Sequence, residues 1–455
     1  MNTILLSPTD VLFFRDGRPM EGSLAGHGAA WPLPNVISAA LHAALHRADF
    51  RDTHTHRFIH QGSAAARSRR FGSLVTAGPF PVRVDKAGSQ TWFFPRPLDF
   101  SGAGLQPGLA PSRAQNWRQS GSLRKPLRFP VASLRPPSKE TAALDWLTAG
   151  SWHAYLSGEL GAASTGLNDQ DFLDTEHTIG IGIDSGTQSA ADGKIYSAHY
   201  LRLREGFRLG IACEAPEQDR NGDANGSDIV QRLFSSSRHI VVGGQQRVCT
   251  AELISNQLIL PLPCGRRNGF HATRDSHVLV KWILLSPAVW PAIAAGQSTG
   301  GRTIHAHPGG WLPNWVDPST GDVLLKQRSG KIWRSGRRRQ SEEESSIGAR
   351  LVAALTAKPV VVTGWSVGNP ESSEAESGGA KSTHLAVPAG AVYYFEADGE
   401  AAAAKLAGAL NWHGDSAGAA IRNRRSTLLG EKGFGLGVCG TWRFFEDVSE
   451  VPGSR

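Results

Sequence analysis

The pentapeptide Ile4-Leu5-Leu6-Ser7-Pro8 returns unchanged as Ile283-Leu284-Leu285-Ser286-Pro287. Each copy closes an apolar run, residues 3–6 in the first case and 277–285 in the second, of a length that suits a buried strand. The proline that follows has no N–H to extend a strand ladder, so both strands are expected to stop at the same point. A strand ending used twice predicts a chain of two units that open alike. At 455 residues the chain is long enough for each unit to bury a core of its own.

After the first strand comes a long excursion to residue 34. Asn35 then offers a helix N-cap, and Val36, Ile37, Ala40, Leu41, Ala44 and Leu45 recur at helical spacing through Arg47. Strand, excursion and amphipathic helix is how a β-α-β-β-α-β unit carrying an insertion begins. Extended segments are expected at 74–75, 82–84, 92–94, 179–183, 195–203, 207–212, 239–242 and 248–253, with a helix over 142–157. In the second half, strands are expected at 277–285, 360–363, 392–395 and 441–445, with a helix over 400–410. The fold class read from this order is α+β: two ferredoxin-like (RRM-like) domains, 1–264 and 272–455, with long loop insertions. The insertions are a basic Gly/Pro/Ser segment at 101–128, a polar linker at 214–228, an Arg block then a Glu block at 335–346, and a Ser/Gly/Glu run at 370–383.

The formal net charge is +8, and the excess is clustered. Arg67, Arg69 and Arg70 form one group; Arg118, Arg124, Lys125 and Arg128 a second; Arg266 and Arg267 a third. Lys331, Arg334 and Arg337 to Arg339 follow, then Arg422, Arg424 and Arg425. Phe71, Trp117, Phe129 and Trp333 interleave with them, a pattern that suits unpaired bases stacked beside a neutralised phosphate chain. A solvated basic face is the competing reading. Four cysteines without C-x-x-C spacing suggest neither a zinc knuckle nor a disulfide framework, so a reducing cytoplasm is the expected location. Residues 1–8 lack the basic start of a signal peptide, and the apolar stretch 277–296 is interrupted by Lys281, Pro287 and Pro291. No membrane association is expected.

Several motifs carry candidate chemistry. Residues 10–34 run D-V-L-F-F-R-D-G-R-P-M-E-G-S-L-A-G-H-G-A-A-W-P-L-P, in which Arg15 and Arg18 flank a tight turn, with His27 and Trp31 just beyond. Guanidiniums grip phosphates through two parallel hydrogen bonds, and a glycine turn lets backbone N–H groups come close. Gly435 to Gly440 fit G-x-G-x-x-G, but the next segment reads as a strand where a dinucleotide site needs a helix. What survives is a glycine loop from Gly433 through Gly437 able to approach an RNA backbone, with Arg424, Arg425 and Lys432 near it in sequence; a tight hairpin is the alternative. Gly364-Trp365-Ser366-Val367-Gly368 fits the nucleophile elbow of a serine hydrolase, although Asn369-Pro370 follows where a helix should start. His42, His46, His54, His56 and His60 crowd together without H-E-x-x-H or a cysteine partner, so neither metal nor cofactor is expected.

The 10–34 segment resembles the opening of the third Cmr subunit of type III-B CRISPR effector complexes, in the RAMP superfamily of RNA-binding proteins. Further segments resemble the same family in the same order: F-G-S-L-V-T-A-G-P-F (71–80), F-F-P-R-P-L-D-F (93–100), W-L-T then Y-L-S-G (146–158) and G-I-G-I-D (180–184). V-V-G-G-Q-Q-R (241–247), V-V-V-T-G-W-S (360–366), V-P-A-G-A-V-Y-Y-F (387–395) and G-F-G-L-G-V-C-G-T-W (433–442) continue the series. The resemblance implies a non-catalytic subunit that holds the repeat-derived 5′ handle of CRISPR RNA. It also implies contacts with a large polymerase-like Cmr subunit and a backbone Cmr subunit. Where the family pattern has Gly-Ala-Leu-Arg, this chain has Ala39-Ala40-Leu41-His42. Some RAMP relatives cut precursor RNA without metal, using a histidine as general base; a processing endoribonuclease using His27 is therefore the main alternative, and a hydrolase at Ser366 a further one.

Overall fold

The computed structural model describes residues 1–15, 24–26, 29–48, 74–100, 108–113, 123–133, 144–158, 165–184, 186–218, 224–254, 262–271, 275–297, 303–325, 347–366, 379–414 and 418–449. The first elements are β1 (Asn2–Pro8), β2 (Leu24–Gly26), α1 (Pro34–Arg47), β3 (Val75–Val84) and β4 (Gln90–Pro95). Next come β5 (Trp146–Thr148), α2 (Ala149–Ser157), β6 (Leu173–Ile183), β7 (Ala190–Leu203) and β8 (Phe207–Glu214). Then follow α3 (Ile229–Leu233), β9 (Arg238–Val241), β10 (Val248–Ile254) and β11 (Val278–Leu284). The last are β12 (Ala349–Leu355), β13 (Val392–Ala397), α4 (Glu400–Leu410), β14 (Gly437–Thr441) and α5 (Phe445–Ser449). The fold is mixed α/β, dominated by antiparallel sheet with few helices.

Two compact units share the chain in alternating pieces. One comprises Met1–Thr91, Asp169–Leu258 and Val360–Leu385, the other Trp92–Asn168, Ile259–Pro359 and Ala386–Arg455. Residues 92–168, assigned from sequence to the N-terminal half, thus cluster with the C-terminal one. The reason is local pairing: Leu98 donates its N–H to the Gly390 carbonyl, and Phe129 to that of Val352. No sequence periodicity reports such a contact.

In the first unit β1 lies between β10 and β8, with β9 outside β10 and β3 outside β8, all antiparallel. Leaving out β9, the strands stand in the order fourth, first, third, second, with α1 joining the first to the second and α3 the third to the fourth. Ile37, Leu41 and Leu45 of α1 are buried at one-turn spacing. Pro34, not Asn35, opens this helix; its missing N–H costs nothing in a first turn. The polar run 214–228 departs from the expected linker. Pro216–Gln218 pairs with Ala224–Asp228, and the Asp228 carboxylate caps α3 by accepting from the Val230 N–H at 2.8 Å.

The second unit repeats the strand order with β14, β11, β13 and β12. The repeated pentapeptide therefore occupies equivalent places: Ile4 sits between Leu253 and Ile211, and Ile283 between Val438 and Val392. α4 joins the third strand to the fourth and buries Ala403, Leu406, Ala407 and Leu410. No helix stands between the first and second strands among the described residues. Trp290, Leu312, Trp315 and Val316 from that irregular segment cover the sheet instead, packing with Trp282, Tyr393 and Phe395.

One charged group lies inside this core. Lys281, mid-way along the wholly buried β11, places its ammonium 3.1 Å from Asp99 Oδ2 and 3.7 Å from the Tyr155 ring centre. Both tyrosines beside it, Tyr155 and Tyr394, donate their hydroxyls to the same carboxylate. Burial lowers the Lys281 pKa, and Asp99 opposes that shift. A buried ion survives only when paired and hydrogen-bonded in this way. Asp99 belongs to the 92–168 piece, so the pair ties that piece into the core of its own unit.

Candidate nucleic-acid interface

The segment leading into the first arginine turn is held on three sides, all within the first unit. Leu12 exchanges two backbone hydrogen bonds with Leu201 of β7, at 2.8 and 2.9 Å. The Phe13 carbonyl accepts from the Gly244 N–H, and that of Phe14 from the Ala29 N–H. β2, from inside the excursion, runs parallel to β7 with Leu24 opposite Tyr196 and Gly26 opposite Ala198. Val11 to Phe14 are buried, whereas Arg15 is exposed at the point where the chain leaves this clamp. Arg18 and His27 lie outside the described residues. Trp31 is half-buried: its indole N–H donates to the Pro79 carbonyl at 3.0 Å and its ring meets Phe172 edge-on. It braces the far end of the excursion.

β6 and β7 form the hairpin against which β2 lies. At its base Arg202 pairs with Glu176 and with Asp10, the latter at 2.9 Å, and Arg204 pairs with Asp174 at 2.8 Å. Farther out, Ile179, Ile181 and Ile183 point to solvent, at 70 %, 55 % and 68 % exposure. Alternation along the strand puts them on one face with His177, whose ring lies 4.7 Å from that of His199 across the pair.

The second unit holds the remaining predicted residues. Arg424 and Lys432 are half-buried, Lys432 in the 3-10 turn Gly430–Lys432, which Gly433 ends at φ +90°. Arg425 turns inward: its Nε–H donates to the Ala409 carbonyl at 2.6 Å, and Nη2 to Asn423 Oδ1 at 3.0 Å. Burial pulls its pKa down to about 10, which leaves it charged at neutral pH. The Arg425 carbonyl accepts from the indoles of Trp290 and Trp315. Arg425 therefore fastens its own segment to the core.

The glycine segment is half loop and half strand. β14 begins at Gly437, so the closing strand sits on the glycines and not on 441–445, where α5 begins instead. Gly433 to Gly440 are all buried. A Cβ on Gly437 would run into Trp282 Nε1, 2.6 Å from Cε2 and 2.7 Å from the Ile283 carbonyl oxygen. A Cβ on Gly435, at φ +75°, would strike the Ser426 backbone nitrogen. Close internal packing thus accounts for both glycines without an external phosphate. The Leu436 N–H donates to Ser286 Oγ, so the second Ser-Pro copy locks the loop in place.

Other sequence motifs find plainer surroundings. Trp365–Ser366 is a two-residue strand paired with Gly379–Ala380; residues 367–378 lie outside the described set. His42 is on α1, while residues 54, 56 and 60 are outside the described set; no group of three metal-ligating side chains occurs among the described residues. No helix among them is long and apolar enough to cross a membrane. Sequence reasoning attached no chemistry to Asp10, Tyr200, Gln245 or Arg247, although 241–247 was itself one of the family-like segments.

No curated protein matches the sequence. Among solved structures, the type III-B Cmr-beta complex bound to cognate target RNA contains a chain with 12% identity and a TM-score of 0.36, covering 86% of each chain. The Csm3-Csm4 subcomplex of the type III-A CRISPR-Cas interference complex gives 8% and 0.36, covering 88% of this chain and 97% of that one. The Csm1-Csm4 cassette in complex with AMPPNP gives 14% and 0.24, covering 67% and 94%. The sequence model of the CRISPR-associated protein family Cas_Cmr3 matches residues 4–442, nearly the whole chain and both units. The chain belongs to that family, whose members are subunits of type III CRISPR-Cas effector complexes.

Proposed function

We propose that this chain is a non-catalytic RNA-binding subunit of a type III-B effector complex, holding the 5′ repeat-derived handle of the CRISPR RNA. Arg15 and Arg18 grip handle phosphates, and His27 contributes to the same contact. Arg424 and Lys432 form a second basic contact in the other unit. The subunit bridges the large polymerase-like subunit and the first backbone subunit in the cytoplasm, and needs no cofactor. Each unit is ferredoxin-like, a reading supported by the shared fourth-first-third-second strand order.

The observation that carries the reading is the clamp on residues 11–14. A surface turn with no ligand has no need of a buried root bonded to a hairpin and a second loop; a turn that must meet RNA at a fixed position does. Single-stranded RNA is held by phosphate contacts and splayed bases, and an arginine at the end of a clamped root supplies the first.

The test is fluorescence anisotropy with a labelled repeat-handle RNA. Affinity should fall with salt at a log–log slope of roughly −0.7 per phosphate contact. Arg15→Ala and Arg18→Ala should each cost about 1.5–3 kcal/mol of binding with unchanged circular dichroism. Wild-type affinity in both variants defeats the assignment, as does binding that ignores salt. Co-purification with the large and backbone subunits tests the bridging role separately.

A further inference from the structure

The turn 243–247 has features that the arginine loop alone leaves unexplained. Gly243, Gln245 and Gln246 all have positive φ, at +80°, +55° and +52°. Left-handed backbone is ordinary for glycine but rare for a side chain with a full Cβ. Both glutamines are exposed, so no packing requirement selects them. A fold that needed only the turn is served better by glycine or asparagine at each place. Residues held in sparsely populated backbone states at an exposed position point to a role outside the fold.

The surroundings say what that role is. The turn rests on Phe13 and Phe14, immediately before Arg15: the Gly244 N–H donates to the Phe13 carbonyl, and a Cβ on Gly243 would come 2.6 Å from that same oxygen. Arg247 lies over the Tyr200 ring, 4.8 Å from its centre, with Nη1 3.8 Å from Asp10 Oδ2. Its Nε–H is buried and has no hydrogen-bond partner among the described residues. Tyr200 donates its hydroxyl to Gln245 Oε1 at 2.8 Å, and Arg247 Nη2 reaches the same oxygen at 3.4 Å. The Gln245 oxygen is thereby occupied, on a side chain that is exposed. Gln246 makes no side-chain hydrogen bond among the described residues.

We propose that the turn 243–247 is a second contact for the single-stranded RNA held by the Arg15 loop, with Arg247 meeting a phosphate and the Gln245 and Gln246 amides meeting ribose 2′-hydroxyls. The proposal rests on the loop reading above. The Gln245 NH2 can donate to a hydroxyl oxygen, the Gln246 amide can both donate and accept, and the 2′-hydroxyl is the group that separates RNA from DNA. The guanidinium lies over the Tyr200 ring and is only loosely engaged by Asp10, which already pairs with Arg202.

The experiment compares wild type, Arg15→Ala and the double variant Gln245→Gly/Gln246→Gly. Each is measured by melting and by anisotropy with handle RNA and its DNA counterpart. Glycine relieves both positive-φ positions, so the double variant should melt no lower than wild type. It should nevertheless bind RNA about tenfold more weakly, with its preference over DNA reduced. Normal RNA binding by the double variant, beside weakened Arg15→Ala, overturns this proposal and leaves the loop reading intact. Equal losses on RNA and DNA overturn the 2′-hydroxyl contact. Wild-type binding by Arg15→Ala and the double variant alike overturns both readings. If the glycine variant does not fold, Gln245→Asn/Gln246→Asn, which tolerates left-handed φ with a shorter amide, is read by the same criteria.

Discussion

Gly437→Ala separates a packing glycine from an RNA-contact glycine. The added methyl would occupy space held by the Trp282 indole, close to Nε1 and 2.6 Å from Cε2. Trp282 cannot retreat without cost. It is fully buried between Trp290, Trp315 and Tyr393, and its N–H donates to the Leu410 carbonyl at 3.0 Å. Overpacking a tight core costs about 1–3 kcal/mol, and disturbing that buried hydrogen bond adds about 1 kcal/mol. The sum is about 3 kcal/mol, which for a unit of this size lowers the melting temperature by about 6–12 °C.

The assay pairs thermal melting with handle-RNA affinity, measured well below the variant's melting point and corrected for the folded fraction. The expected outcome is a large melting drop with affinity per folded molecule unchanged. Trp282→Phe lacks the five-membered ring that the methyl strikes, so Gly437→Ala/Trp282→Phe should lose less than the two single losses combined. A variant that melts like wild type refutes the packing argument. If it also binds RNA poorly, the loop touches RNA, as its glycine pattern alone suggests.

Three further outcomes follow from the same geometry. Asp99→Ala strands the Lys281 ammonium in the core and should cost about 3–5 kcal/mol by urea unfolding, whereas Asp99→Leu/Lys281→Met should recover much of the loss. Arg425→Ala should reduce stability while leaving RNA affinity per folded molecule unchanged, because its guanidinium serves Ala409 and Asn423. Burial, with a smaller contribution from Asp275, raises the Glu396 pKa above 4.5, against the opposing pull of His277, Arg350 and Arg113. The folded state then holds this proton more tightly than the unfolded chain, so stability is lost as pH rises through the raised value. Glu396→Gln should therefore melt higher than wild type at neutral pH, with the gap closing below pH 4.5.

Elements defined by local periodicity were readable from sequence. The helix Glu400–Leu410 follows from its apolar spacing, and the strand Val278–Leu284 from an apolar run that only Lys281 interrupts. What local pattern does not carry is the identity of a distant partner. Nothing near Asp99 announces Lys281, and nothing in 92–168 announces that this piece packs with residues beyond 259. At the candidate interface Arg15 was legible because a charged turn after an apolar run is a local signal. Gln245 was not, because its meaning lies in a backbone angle and in Tyr200, far away in sequence.

The glycine segment shows why such a motif is ambiguous in principle. Approach by a phosphate and approach by an indole both require the absence of a Cβ, and a sequence records only that absence. Here the indole of Trp282 and the backbone of Ser426 already fill the space that each missing side chain leaves. In the proposed function the RNA contact at this end of the second unit is therefore assigned to Arg424 and Lys432, with the glycines serving to seat the strand that carries the loop. The opposite holds in the first unit. There the glutamines are side chains at positions better suited to glycine, and the proposed second RNA contact rests on their presence, not on an absence.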